Sequence, residues 1–208
     1  MTTAIGAYAT AAALKTRINI SDSTDDTVLG NVCDQINDYI EDRTHRVIAP
    51  ISSATYYYDG DGSRSLYLPI TADGTHIGGI RAITALSCQQ YTGAGFSAVD
   101  SSQFFLRQPV GIRGPFERLL FTDYPTGTFS SWPRGFKTVQ ITATAGWAAI
   151  PDDITELALT AATRAWYAIE NGQSDIVGTD EMGRPLVSRF FAARDLETLD
   201  RYGTDIPG

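Results

Sequence analysis

Cysteine and histidine are scarce in this chain, with two of each among 208 residues, and that scarcity removes several kinds of chemistry at once. His45 and His76 fall in different zones, and neither has a second histidine or a cysteine at metal-ligand spacing. A zinc site or a histidine-based triad therefore has little to build on. His45 is read instead as a residue that helps terminate a helix. Cys33 lies in a helical pattern and Cys88 in a strand pattern. With no signal-like start, they are read as two reduced, mostly buried thiols of a cytosolic product, a disulfide between them being the alternative. No apolar run approaches the roughly 20 residues that a membrane-crossing helix requires, so a soluble protein is expected. There is no G-x-S-x-G, Walker loop or G-x-G-x-x-G, no internal repeat and no low-complexity block. No catalytic, metal-binding or cofactor-binding residue is assigned, and no enzyme activity is expected.

Basic clusters are missing as well. The net charge is -8 and the pI about 4.6, which argues against a surface that grips nucleic acid by neutralising phosphates. The carboxylate pairs Asp25/Asp26 and Asp152/Asp153 resemble acid-base pairs, but both sit at helix starts, where the helix dipole accounts for them. Asp59-Gly60-Asp61-Gly62-Ser63 begins like a calcium loop and then fails: the sixth position is Arg64 and the twelfth Ile70, where a glycine and a bidentate glutamate are needed. It is read as a hairpin turn between the strands on either side.

What is present is a chain with 43% hydrophobic residues, enough to bury a core. From Thr138 to Tyr167 a strand passes through a Gly-Trp turn into a helix. Val139, Ile141 and Ala143 alternate with polar residues; after Pro151, the residues Ile154, Leu157, Ala158, Ala161, Ala162, Ala165 and Trp166 recur at helical spacing. Upstream, Thr10 or a neighbour caps a short helix through Leu14 to Ile18. A second helix, capped by Ser23 or Thr24, runs through Val28, Leu29, Val32, Cys33, Ile36, Tyr39 and Ile40 to about Thr44. Between Ile51 and Ala145 the chain turns to short alternating runs, read as strands at 54–58, 65–68, 80–90, 103–107, 118–122 and 137–144. The segment 171–184 reads as a mobile connection, and a last helix is expected from about Pro185. The fold class is therefore α+β: a helical core of N-terminal helices (1–50) and two C-terminal helices with a mobile tail (146–208), interrupted by an inserted antiparallel β subdomain (51–145). In the loop before the last strand, Phe129, Trp132 and Phe136 are interface candidates, ordinary packing against the sheet being the alternative.

The order and spacing of several short motifs carry a resemblance. They are a short helix with Tyr8 and Leu14, an Asp25-Asp26 helix ending Tyr39-Ile40-Glu41-x-x-Thr44, and Tyr58-x-Gly60-x-Gly62 followed by Leu66 and Leu68. A strand around Ile83, the Ala145-Gly146-Trp147 turn and the helix start Pro151-Asp152-Asp153-Ile154 complete the series. Over residues 8 to 170 the chain resembles the tailed-phage head-tail connector proteins, the gp6-like or gp15-like adaptor and head-completion group. The enlarged β region departs from the smaller helical members.

The resemblance implies a structural virion protein at the head-tail junction, made in the host cytoplasm. It implies a homo-oligomeric ring of about twelve subunits. Such a ring lies beneath the portal protein, extends the DNA channel without sequence-specific binding, and docks a stopper or tail protein; no cofactor or membrane is involved. By analogy, 185–208 is expected to contact the portal through Arg189, Phe190, Phe191, Arg194, Leu196, Leu199 and Tyr202, and its removal to leave the fold intact. A tail terminator or completion ring, and a carbohydrate- or surface-binding β module, are the alternatives.

Overall fold

A computed structural model of the protein describes residues 6–91, 93–108, 114–122, 127–171 and 190–203. The chain divides into two compact units, Met1–Ala49 with Ile150–Gly208, and Pro50–Ala149.

The first unit is helical. In α1 (Ala11–Ile18), Thr10 accepts the Ala13 N–H on its Oγ1 at 3.2 Å, satisfying one of the first-turn donors, and Asn19 closes the helix with φ 59°. The α2 helix (Asp26–Thr44) begins after Asp25, which makes no side-chain cap. The expected caps Ser23 and Thr24 lie two and one residues too early, respectively, because Asp22 Oδ1 takes the Thr24 N–H at 2.9 Å and turns the chain before the helix starts. His45 ends α2 in the left-handed region at φ 52°. Leu29, Val32, Cys33, Ile36 and Ile40 form its buried stripe. The α3 helix (Asp152–Glu170) follows Pro151, which occupies the cap position; its carbonyl accepts from Thr155 N at 3.1 Å. Ala158, Ala161 and Ala162 are fully buried, and such small side chains permit close helix approach.

Two buried polar residues tie the N-terminal segment to α2. The Asn37 side-chain amide bonds both Ala9 N–H (2.8 Å) and Ala9 C=O (3.0 Å). The Tyr8 hydroxyl donates to Glu41 Oε1 at 3.0 Å and accepts from Ile48 N at 2.8 Å. Burial first, and then the Glu41 charge, push the Tyr8 phenol well above its ordinary value.

The last helix, α4, spans Ala193–Tyr202. The expected start at Pro185 and the mobile connection beyond Asn171 lie outside the described residues. Within them, Phe190–Ala192 precede the α-helix, and Asp195 Oδ2 reaches back to the Ala192 N–H at 2.8 Å.

The second unit holds two antiparallel sheets. The strands are β1 (Pro50–Gly60), β2 (Ser65–Tyr67), β3 (Ile80–Cys88), β4 (Ser97–Ala98), β5 (Phe104–Arg107), β6 (Arg118–Phe121) and β7 (Gly135–Gly146). One sheet has the order β1-β7-β3-β4 and the other β2-β6-β5. β7 buries Val139, Ile141, Ala143 and Ala145 on one face, at the period of two expected of a half-buried strand. These residues join Leu66, Leu119 and Phe121 of the other sheet in a single apolar core. β4, only two residues long, has no counterpart among the expected strands.

The expected hairpin between β1 and β2 is not formed. β1 pairs with β7, Tyr58 opposite Val139, whereas β2 pairs with β6 in the other sheet. Asp59–Ser63 is thus a crossover between sheets. Gly62, at φ 84°, donates to Trp132 O at 2.9 Å, and Trp132 N donates to Ser63 O at 2.8 Å. Gly60 meets the same loop so closely that a Cβ there would lie 1.9 Å from Pro133 O. The local Asp-Gly turn signal is overridden by these long-range backbone bonds.

Candidate interaction surfaces

Of the seven α4-region residues expected to contact a portal, Arg189 lies outside the described residues. Phe190, Phe191 and Leu199 are buried within the helical unit. Phe191 stacks on Tyr39 of α2 with ring centroids 4.8 Å apart. Around this apolar contact α4 is held by charged and polar groups. Arg43 bonds both carboxylate oxygens of Asp200 at 2.9 Å, and Arg164 Nη1 bonds Asp195 Oδ2 at 3.0 Å and Phe190 O at 2.8 Å. Tyr202 donates to the Asp153 carboxylate at 2.9 Å, and Arg46 Nη1 donates to Tyr202 O at 3.2 Å.

Removal of 185–208 would therefore strip Phe190, Phe191 and Leu199 from the core, which corrects the expectation that it leaves the fold intact. Arg194 remains exposed, and Leu196 and Tyr202 half-buried. Sequence spacing did not separate these classes because Phe190 and Phe191 precede the helix and share no period with it.

The loop candidates divide in a similar way. Trp132 is fully buried, its ring 4.3 Å from Phe121, and Phe129 is buried with it; both belong to the β core. Phe136 is 58% exposed, beside Lys137, whose ammonium lies 5.2 Å from the ring centroid. Within the same unit, a cavity of about 310 Å³ is lined by Asp59, Asp61, Tyr67, Thr71 and Arg118 among others. A hydrogen bond with Ser63 holds the Asp61 carboxyl below its ordinary value. The cavity brings together carboxylates, hydroxyls and a guanidinium but neither of the histidines or cysteines.

The charge of the chain is unevenly divided. The helical unit contains 18 carboxylates against nine lysines and arginines, net -9, whereas the β unit contains six against seven, net +1. On α2, Asp34, Asp38 and Asp42 recur every fourth residue and so share one face; Asp34 and Asp42 are exposed and Asp38 half-buried. Like charges at this spacing oppose helix formation by a few tenths of a kcal/mol per pair. Large exposed apolar side chains show the opposite distribution. Tyr57, Tyr91, Phe96, Phe105 and Phe136 belong to the β unit, and Val28 and Tyr167 to the helical one.

Burial pushes the Cys33 thiol up to about 11 and the Cys88 thiol up to about 12, and both cysteines are free and buried. Among the described residues, no group of three or more His, Cys, Asp or Glu side chains is arranged to hold a metal. No described helix is long and apolar enough to cross a membrane.

No protein-family model matches this chain, and no curated protein matches it. Among solved structures, it is similar to a chain in the neck of an empty gene transfer agent particle computed with C6 symmetry. That alignment has 18% identity, covers 93% of this chain and 94% of the other, and has a TM-score of 0.48. A second similar chain comes from the virion of a native gene transfer agent particle, with 18% identity, the same coverage of both chains and a TM-score of 0.46.

Proposed function

We propose that this chain is a structural head-tail connector of a tailed-phage-like particle: an adaptor that forms a ring of about twelve subunits under the portal. The ring extends the DNA channel and presents a docking surface to a stopper or tail protein. The observation that carries this reading is the segregation of charge, -9 in the helical unit against +1 in the β unit. A conduit for DNA works when its wall repels phosphates and leaves the duplex free to slide. The Asp34-Asp38-Asp42 face of α2 supplies such a wall at a small local cost in helix stability. The near-neutral β unit, with its exposed aromatic side chains, is suited to protein contacts instead.

The motif series from Tyr8 to Ile154 supports the same reading. Tyr8 and Glu41 meet in the helical unit, and Gly60 and Gly62 serve the β crossover, so these residues have structural reasons to keep their order. The accessible part of α4, Arg194 and Leu196, is the proposed portal contact, with Phe190, Phe191 and Leu199 supporting it from within. Copurification with the portal protein of the same particle tests this. Wild-type chain should bind the portal, and Arg194→Glu combined with Leu196→Asp should abolish binding without changing the thermal transition. Full binding by the double variant would overturn the α4 assignment, and no binding by the wild type would overturn the connector reading.

A further inference from the structure

Among the described residues, the backbone of β1 around Thr55 is left open on the side away from β7. β1 is an outer strand of its sheet, and its only partner strand is β7. The Tyr57 carbonyl points away from β7 and accepts from Ala72 N at 2.7 Å. Alternation along the strand then turns the N–H and C=O of Thr55 to the same outer side, and no described backbone group bonds them. Ser52 to Thr55 are all exposed.

Open edges are ordinarily blunted by charge, an internal proline, brevity or a bulge; β1 has register shifts at Ile51/Ala54 and Tyr58/Gly60, so its regular part runs from Ala54 to Tyr58. From Ile51 to Tyr58 this strand has no charged residue, and its proline is only the first of its 11 residues. The second sheet has a shorter outer strand at β5, four residues ending in Arg107. There Gln103 and Arg107 carbonyls face β6, accepting from Thr122 and Glu117 N–H groups, so the amides of Phe104 and Leu106 face outward. Phe105, on the same strand, is 49% exposed.

We propose that the β1 edge of one copy of this chain pairs with the β5 edge of the next, so that the β units join head-to-tail through strand addition. The occupant is a second copy for two reasons. A cyclic assembly requires each subunit to present two different, complementary surfaces; of the four outer strands, β1, β4, β2 and β5, β4 and β2 have only two and three residues, and β1 and β5 are the two longest and differ in composition. The β unit is also close to neutral, so copies meet there without the repulsion that the helical unit, at -9, imposes. Main-chain bonds supply the attraction, and Phe105 and Tyr57 supply apolar area beside the joint. This inference rests on the ring reading and names the surface that closes the ring.

Amide hydrogen exchange, read by mass spectrometry on the full chain, tests it. The chain is compared as a dilute monomer and as the assembled species, isolated from particles or by size exclusion. Peptides spanning 52–57 and 104–106 are predicted to slow together by at least tenfold on assembly, as their free amides become bonded. Unchanged exchange at both overturns the proposal, as does a chain that remains monomeric in every preparation. Slowing at β1 alone indicates pairing of two β1 edges, which is symmetric and overturns the head-to-tail form.

A variant supplies the second reading. Thr55→Pro removes an outward N–H while sparing the bonds to β7, and an edge strand accepts proline on that side. It should fold as the wild type does but fail to assemble, whereas Thr55→Val, which keeps the amide, should assemble. Normal assembly of Thr55→Pro overturns the proposal. Copurification with the portal separates the two ideas: portal binding without slowed amides overturns the strand-addition inference alone, and slowed amides in a self-assembled chain that ignores the portal overturn the connector reading alone.

Discussion

The Phe191 ring lies against Tyr39 at a centroid separation of 4.8 Å with planes inclined by 25°, so the chain leading into α4 is anchored on α2 before the helix begins. Burial of Phe191, at 6% exposure, makes it a core residue of the helical unit. Phe191→Ala should cost about 3 kcal/mol of unfolding free energy, within the usual range for a buried phenylalanine, while Leu196→Ala should cost less than about 1. Urea denaturation of both variants checks the order, and equal costs would contradict it.

Two glycines should respond in opposite directions. A Cβ at Gly60 would meet Pro133 O at 1.9 Å, and Pro133 O is also the acceptor of the Thr138 hydroxyl at 2.6 Å, so the loop has little freedom to withdraw. Gly60→Ala should destabilise by about 3 kcal/mol or more, at or beyond the upper end of ordinary overpacking costs. Gly30 lies within α2 with nothing within 4 Å of its added Cβ, and Gly30→Ala should stabilise by about 0.5–1 kcal/mol. Thermal melts of the two variants provide the comparison.

Arg17 donates to both oxygens of Glu156 at 2.8 and 2.7 Å, and this pairing holds the Glu156 carboxyl below its ordinary value. A depressed carboxyl contributes stability that is complete above its unfolded value and is lost as pH falls through its lower native value. The Glu156 side chain is 64% exposed, so the contribution is below about 1 kcal/mol and screened by salt. Glu156→Gln should therefore be slightly less stable than the wild type at neutral pH in low salt. The difference should vanish in molar salt or in acid below the native carboxyl value. An unchanged difference under all three conditions would show that the ion pair is not its source.

The two thiols should be inert in the native protein. With Cys33 pushed up to about 11 and Cys88 up to about 12 by burial, almost no thiolate forms at pH 8, and both side chains are covered. A thiol-specific disulfide reagent should report almost no reaction under native conditions and two thiols per chain in denaturant. Rapid native labelling would contradict the burial of these residues.

Much of this architecture was legible before the fold was seen. α1 with its Thr10 cap, the α3 stripe and the alternation of β7 are local patterns, and each residue's neighbours in sequence already contain the information. The misreadings came from long-range contacts. The Asp59–Ser63 segment has the composition of a hairpin turn, yet the bonding of Gly62 and Ser63 to Trp132, about 70 residues away, decides its path. Phe190 and Phe191 read as free contact residues because only the folded structure brings Tyr39 and Arg164 to them. For Phe129 and Trp132 the sequence left surface anchor and ordinary packing both open, because a loop rich in Gly, Pro and Ser does not show which of its aromatic residues turn inward; the structure buries both. The charge segregation needed only the boundaries at Pro50 and Ala149 to become visible.

The copy number of this chain relative to the portal protein in purified particles tests the central claim most directly. Quantitative mass spectrometry should give a ratio of about one, as expected for two stacked rings of matched symmetry. Absence of the chain from the particle would contradict the connector account.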